Sequence, residues 1–168
     1  MPALGSCVTG IAAEAVMQSP PEPLASALRE PGLSRNERAR LLHQAASLGE
    51  VDIIRKLVTQ LGVDVDAPGH HGWTPLHMAV EHHQREAVDA LLSFGADINA
   101  GSSDGMTVLQ LAVDEAVDRH HYAGVLDVSI VRHLLERGAD PDRADHDGDT
   151  ARVWALASGV RALSELFF

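Results

Sequence analysis

Ten histidines stand out in a chain with a single cysteine, Cys7. Six of them form adjacent pairs: His70-His71, His82-His83 and His120-His121. Imidazoles that converge in space bind zinc or nickel, and near the unperturbed His pKa of about 6.5 they sense pH. No cysteine accompanies these pairs, so solvated loop histidines are the favoured reading and no metal is assigned. A metal- or pH-responsive regulator with a histidine-rich edge is the alternative. The acidic run from Asp140 to Asp149 invites comparison with a calcium loop. Setting Gly148 at the obligatory glycine puts Arg143 where the first carboxylate belongs and Trp154 where the bidentate Glu belongs, so the motif fails. No G-x-S-x-G, G-x-x-x-x-G-K-[ST] or H-E-x-x-H occurs. Cys7 is far in sequence from every histidine. The expectation is a protein that is not an enzyme and needs no cofactor.

The elements that must position these groups are aliphatic. In 168 residues, 45% are hydrophobic and only 4% aromatic, which disfavours β-sandwiches and barrels. Thirteen basic against 24 acidic side chains give a net charge of −11, the wrong sign for nucleic acid or an anionic membrane surface. No apolar run approaches the roughly 18–20 residues that span a bilayer. Residues 1–21 lack a basic leader and read as a poor secretory signal. Leu4-Gly5-Ser6-Cys7 resembles a lipid-attachment box by chance alone, because only three residues precede it. A cytoplasmic protein is the default expectation, and a monomer with it. Residues Leu24 to Arg29 suit a short helix closed by Pro31-Gly32. Ser34-Arg-Asn-Glu37 has the form of a capping box and marks a firm helix start.

Self-comparison then shows a repeat. His71-Gly72-Trp73-Thr74-Pro75-Leu76-His77-Met78-Ala79-Val80 recurs as Asp104-Gly105-Met106-Thr107-Val108-Leu109-Gln110-Leu111-Ala112-Val113, 33 residues on. It recurs again around Gly148, 43 residues further, and upstream at Leu42-His43-Gln44-Ala45-Ala46. A second landmark keeps the same phase: Leu91-Leu92-x-x-Gly95-Ala96-Asp97-Ile98-Asn99 against Leu134-Leu135-x-x-Gly138-Ala139-Asp140. Thr74 suits a helix cap with Pro75 in the first turn, and Thr107-x-x-Gln110 makes a capping box at the same place. Val88, Leu91 and Leu92, then Ile130, Val131, Leu134 and Leu135, form helical stripes. Each helix pair has too little core alone, so several must stack.

Gly72-Trp-Thr-Pro-Leu-His77-x-Ala79 with Leu91-Leu92-x-x-Gly95-Ala-Asp-Ile-Asn99 resembles an ankyrin repeat. The resemblance covers residues 36–168. It implies an all-α solenoid of stacked helix pairs with short β-hairpin loops. The expected layout is an N-terminal extension over 1–33 and a repeat domain over 34–168, with repeats at about 36–68, 69–101, 102–144 and 145–168. His83 departs from the family, which usually has Gly there. The extra ten residues of the third repeat fall at Ala116 to Leu126, where apolar spacing suggests that the first helix runs on before turning near Gly124. His77 and His43 occupy the family's Thr-Pro-Leu-His position, where the ring is expected to bond turn backbone. Leu163, Leu166 and Phe167 are expected to cap the stack on the third repeat's helices, with Ser164 and Glu165 facing water. The resemblance implies protein binding through hairpin tips and first helices. By phase, the partner-binding residues are His70, His71 and Trp73, then Ser103, Asp104 and Met106, then His146, Asp147 and Asp149. Glu81, Asp114 and Glu115 join them from the first helices. The carboxylates favour a protein partner carrying a basic patch.

Overall fold

Ser34 opens the first described helix in the way its spacing predicts. Its hydroxyl accepts the Glu37 amide at 3.3 Å while the Glu37 carboxylate accepts the Ser34 amide at 2.8 Å. Two donors that would otherwise be orphaned are satisfied reciprocally. The computed structural model describes Leu24, Ser26 and residues 32–168. Leu24 and Ser26 are helical; the rest of the short helix expected there, and Cys7, lie outside the described residues. The chain divides into Met1–Glu30 and Pro31–Phe168, and all that follows concerns the second unit.

Its helices come in pairs: α1 (Arg35–Leu48) with α2 (Val51–Thr59), α3 (Pro75–Glu81) with α4 (Arg85–Ser93), α5 (Val108–Ala123) with α6 (Ser129–Glu136), and α7 (Ala151–Ala157) with α8 (Arg161–Ser164). A 3-10 turn, Glu165–Phe167, follows α8. The first helices stack in a row, α1 on α3, α3 on α5 and α5 on α7, and each second helix packs on its own first helix. Small residues make that row possible. Ala45 and Ala46, Ala79 and Val80, and Ala112 and Val113 are fully buried and let helix axes approach closely. Ile53, Ile54 and Leu57, Val88 and Leu91, and Ile130, Val131 and Leu134 close the core from the second helices. At about 1.5–3 kcal/mol for each such side chain, this aliphatic burial is what holds short, individually marginal helices together.

The third pair carries the elaboration that its spacing predicts. α5 runs 16 residues against seven for α3 and stops at Gly124, whose φ of 65° ends the helix in the left-handed region. The turn between α3 and α4 needs the same backbone state, and His83 adopts it at φ 54°. That is the physical reason glycine is the usual residue there.

One expectation is sharpened and one is revised. Among the described residues the hairpins shrink to single antiparallel bridges, Gly101 with Thr107 and Ala144 with Thr150. The first turn is a 3-10 turn, His70–Gly72, closed by the Gly69 amide on the Trp73 carbonyl at 2.7 Å. At the C-terminal end Leu163 and Phe167 are buried and Glu165 is exposed, but Ser164 does not face water. It is half-buried, and its hydroxyl donates to the Val160 carbonyl at 3.0 Å and the Ala155 carbonyl at 3.3 Å. On this four-residue helix leaning on α7 it is Arg161 and Ala162 that face solvent, while Ser164 turns back toward Ala155 and Val160.

Candidate protein-binding face

Backbone hydrogen bonds join the turns between pairs into one ridge. The Ser103 amide donates to the His71 carbonyl at 2.8 Å, and the His146 amide donates to the Asp104 carbonyl at 3.1 Å. Such close stacking leaves no space for a side chain at two points. A Cβ on Gly72 would lie 2.7 Å from the Ser103 nitrogen, and one on Gly105 would lie 2.9 Å from the His146 nitrogen. Both glycines also sit at positive φ, 72° and 85°.

Polar side chains tie each first helix to the next turn. His43 sets Nδ1 2.8 Å from the Ala39 carbonyl and Nε2 3.0 Å from the Trp73 carbonyl. His77, fully buried, accepts the Thr74 amide at Nδ1 and sets Nε2 3.3 Å from the Met106 carbonyl. Gln110, one repeat on, accepts the Thr107 amide at 2.9 Å and donates to Asp145 at 2.7 Å and the Asp149 carbonyl at 3.1 Å. His77 and Gln110 thus do one job with different side chains. Burial holds the His77 pKa below its ordinary value, because desolvation penalises the imidazolium. Asp145 spends its carboxylate on Gln110 and on the amides of Asp147 and Asp149, as a turn organiser.

The residues expected to meet a partner fall on the surface of this ridge, at the end of α3 and in the middle of α5. His70, His71, Ser103, Asp104, Asp114, His146, Asp147 and Asp149 are exposed; Trp73, Met106, Glu81 and Glu115 are half-buried. Trp73 stacks on His77, ring centroids 5.9 Å apart and planes 27° from parallel. Beside it lies an open groove of about 380 Å³ lined by Arg40, His43, Gly69, His70, His71, Trp73 and Met78. Arg40, His43 and Met78 are additions to the sequence-based set. Arg40 stands 34 residues before Thr74, in sequence register with that cap but inside α1, so its departure from Thr was the available signal.

Away from the groove the face turns acidic. Burial raises the Glu115 carboxyl, and the fields of Glu81, Asp114 and Asp118 push it further the same way. Asp114 is raised by burial and then by Asp118. Carboxylates of two neighbouring first helices, α3 and α5, therefore share one field. Asp104 goes the other way: the Ser102 hydroxyl bonded to it lowers its pKa.

The remaining histidines do not assemble into a ligand set. His120 and His121 have ring centroids 6.1 Å apart, and His83 lies in the fields of Arg119, Asp127 and His82. Among the described residues no group of three or more His, Cys, Asp or Glu side chains is placed to hold a metal ion. His133, which sequence reasoning passed over, is buried and bonds Asp89 at 2.6 Å; Arg137 reaches the same oxygen at 2.7 Å. This tie joins α4 to α6 across 44 residues, and no local pattern announces it. Tyr122, 88% exposed, marks the end of the α5 extension. Among the described residues no helix is long and apolar enough to cross a membrane.

Comparison with known proteins agrees with this geometry. The family described as "Ankyrin repeats (3 copies)" matches residues 15–102 and 42–126. B-cell lymphoma 3 protein of Homo sapiens is 35% identical over 121 residues, covering 70% of this chain and 24% of that protein. Its homolog in Mus musculus is 34% identical over the same length, 25% of that protein. BCL-6 corepressor-like protein 1 of Homo sapiens is 30% identical over 129 residues, 77% of this chain and 7% of that protein. The chain thus spans about a quarter, or less, of the length of these relatives. With landmark motifs in phase, paired helices stacked in a row and a family match over more than half its length, the chain belongs to the ankyrin repeat family.

Proposed function

We propose that this chain is a non-catalytic protein-binding module that takes its partner across the stacked turns, the end of α3 and the middle of α5. The observation that carries this reading is the ridge itself. Three turns are locked to one another through backbone bonds and leave His70, His71, Ser103, His146, Asp147 and Asp149 exposed. Ankyrin repeats as a family are interaction modules, and the named relatives share the repeats. The acidic balance of the face, with Asp104, Asp114, Glu115, Asp147 and Asp149, favours a partner with a basic patch and fast association at low salt. The reading carries with it a monomeric chain and a cytoplasmic setting, which the single cysteine accords with.

A photo-crosslinking amino acid placed at Ser103 on the ridge, and separately at Arg132 on α6, tests the surface. The partner should crosslink from Ser103 and not from Arg132. Surface plasmon resonance on that partner should then show Trp73→Ala weakening binding about 30-fold, the equivalent of about 2 kcal/mol at an aromatic anchor. Asp104→Lys with Asp147→Lys should mainly slow association. Unchanged kinetics in both, with loss on Tyr122→Ala, would move the interface to the α5 extension.

A further inference from the structure

The face described above has two unlike halves at a fixed separation. One half is the groove beside Trp73, walled by Met78, His43 and His71, with Arg40 on its rim. The other half is acidic and made by Glu81, Asp114, Glu115 and Asp118. Glu81 pairs only with His82, at 3.7 Å, and among the described residues Asp114, Glu115 and Asp118 make no ion pair, with Arg119 the one guanidinium whose field reaches Glu115. Helix geometry sets the distance between the halves. Met78 and Glu81 are three residues apart on α3, so Glu81 begins about 4.5 Å along the axis from the groove. Asp114 and Glu115 stand on the next first helix, about 8–10 Å across. The span from groove to acidic half is therefore about 10–15 Å, which an extended chain crosses in about three to five residues.

We propose that the occupant of this face is an extended peptide segment of the partner that seats one bulky apolar side chain in the Trp73 groove and places Arg or Lys residues about three to five positions away on the acidic half. This rests on the protein-binding reading and specifies the partner's chemistry. Charge complementarity chooses the occupant. The groove offers an indole face and a methionine to an apolar side chain, and mutual repulsion among four carboxylates is relieved by a cation. Arg40 reaches the groove from α1, on the side of α3 away from α5, and repels a second cation there, so the basic residues lie on one side of the anchor only. An indifferent acidic surface lacks this spacing rule.

Fluorescein-labelled 14-residue peptides in a Gly/Ser background supply the probes. The first carries Phe with three consecutive Arg beginning three positions later. The controls replace Phe with Ala, replace the three Arg with Glu, or move the Arg cluster nine positions from Phe. Anisotropy on the full chain should show the first peptide binding at least tenfold tighter than each control, and losing most of that advantage at 0.5 M salt. In a Trp154→Phe background, which leaves Trp73 as the single tryptophan, the first peptide should also shift the emission of Trp73. Glu115→Gln with Asp118→Asn should weaken it about fivefold or more without changing the circular dichroism spectrum. Equal binding of the Arg and Glu peptides, no binding up to millimolar concentration, or indifference to the position of the Arg cluster would overturn the proposal. So would concentration-dependent self-association in sedimentation that vanishes with Trp73→Ala, since a second copy would then fill the groove. A partner that crosslinks at Ser103 while the peptides show no discrimination refutes this inference and leaves the binding-module reading standing. Failure of the crosslink removes the reading itself.

Discussion

Replacing His77 with glutamine should leave the fold intact at neutral pH and remove a part of its sensitivity to acid. The ring is fully buried, its Nδ1 accepts the Thr74 amide, and its Nε2 lies on the Met106 carbonyl one repeat away. Burial depresses its pKa from 6.5, opposed by the Met106 carbonyl and by Asp104, and His43 depresses it further. The native state therefore binds this proton less readily than the unfolded chain. Stability from this group is complete above about pH 6.5 and is lost as pH falls from there toward the native value, at a slope approaching about 1.4 kcal/mol per pH unit. His83, also depressed by burial and by Arg119, acts in the same direction, so the informative quantity is the difference between wild type and variant. Glutamine is the replacement of choice because Gln110 already makes both bonds at the equivalent site without titrating. Urea unfolding followed at 222 nm should place His77→Gln within about 1 kcal/mol of wild type at pH 7.5 and above it at pH 5.5. His77→Ala should cost about 3 kcal/mol at pH 7.5, since it strands a buried amide and carbonyl and leaves a cavity, and less at pH 5.5, where wild type has lost part of its own stability to protonation of the ring. If wild type and His77→Gln lose stability in parallel between pH 7.5 and 5.5, the buried neutral ring is not what couples this protein to acid.

Deleting Leu163–Phe168 uncovers α7 and removes the buried Leu163 and Phe167, which should lower the unfolding free energy by about 4 kcal/mol in a denaturant titration; an unchanged midpoint would refute the cap. Gly105→Ala should cost clearly more than Gly148→Ala, measured by thermal unfolding, because both sit near φ 85–90° but only Gly105 faces a neighbouring backbone nitrogen at 2.9 Å. Calorimetric titration with zinc should give no submicromolar isotherm; one abolished by changing His82, His83, His120 and His121 to Ala would revive the metal-responsive alternative.

Much of the fold was legible because its signals are local and recur in phase. Glycine, threonine and leucine landmarks 33 residues apart located the pairs, two capping boxes placed helix starts, and apolar spacing carried α5 through to Gly124. What stayed hidden depends on stacking. No spacing rule places the His43 ring on the Trp73 carbonyl, 30 residues away, or Asp89 on His133, because those contacts follow from how one pair settles on the next. Ser164 was misplaced because four residues are too few for a periodic pattern to define a side. The exposed turn residues could be read from phase, but the groove could not, since Arg40 and His43 come to Trp73 from another repeat.

The side-chain ties from each first helix to the following turn have a kinetic consequence. They pass from His43 to Trp73, from His77 to Met106 and from Gln110 to Asp149, and the next equivalent position is Val153, half exposed and unable to continue them. The last pair, α7 and α8, is therefore held by such a tie from one side only, from Gln110 to Asp149, whereas the α3 and α5 units are tied on both sides. Amide hydrogen exchange should record this as a gradient, with the shortest protection times over Ala151 to Phe167 and the longest over α3 and α5. Installing glutamine at Val153 alone should not lengthen them, because a donor needs a carbonyl opposite it, and in this fold that carbonyl always belongs to the neighbour.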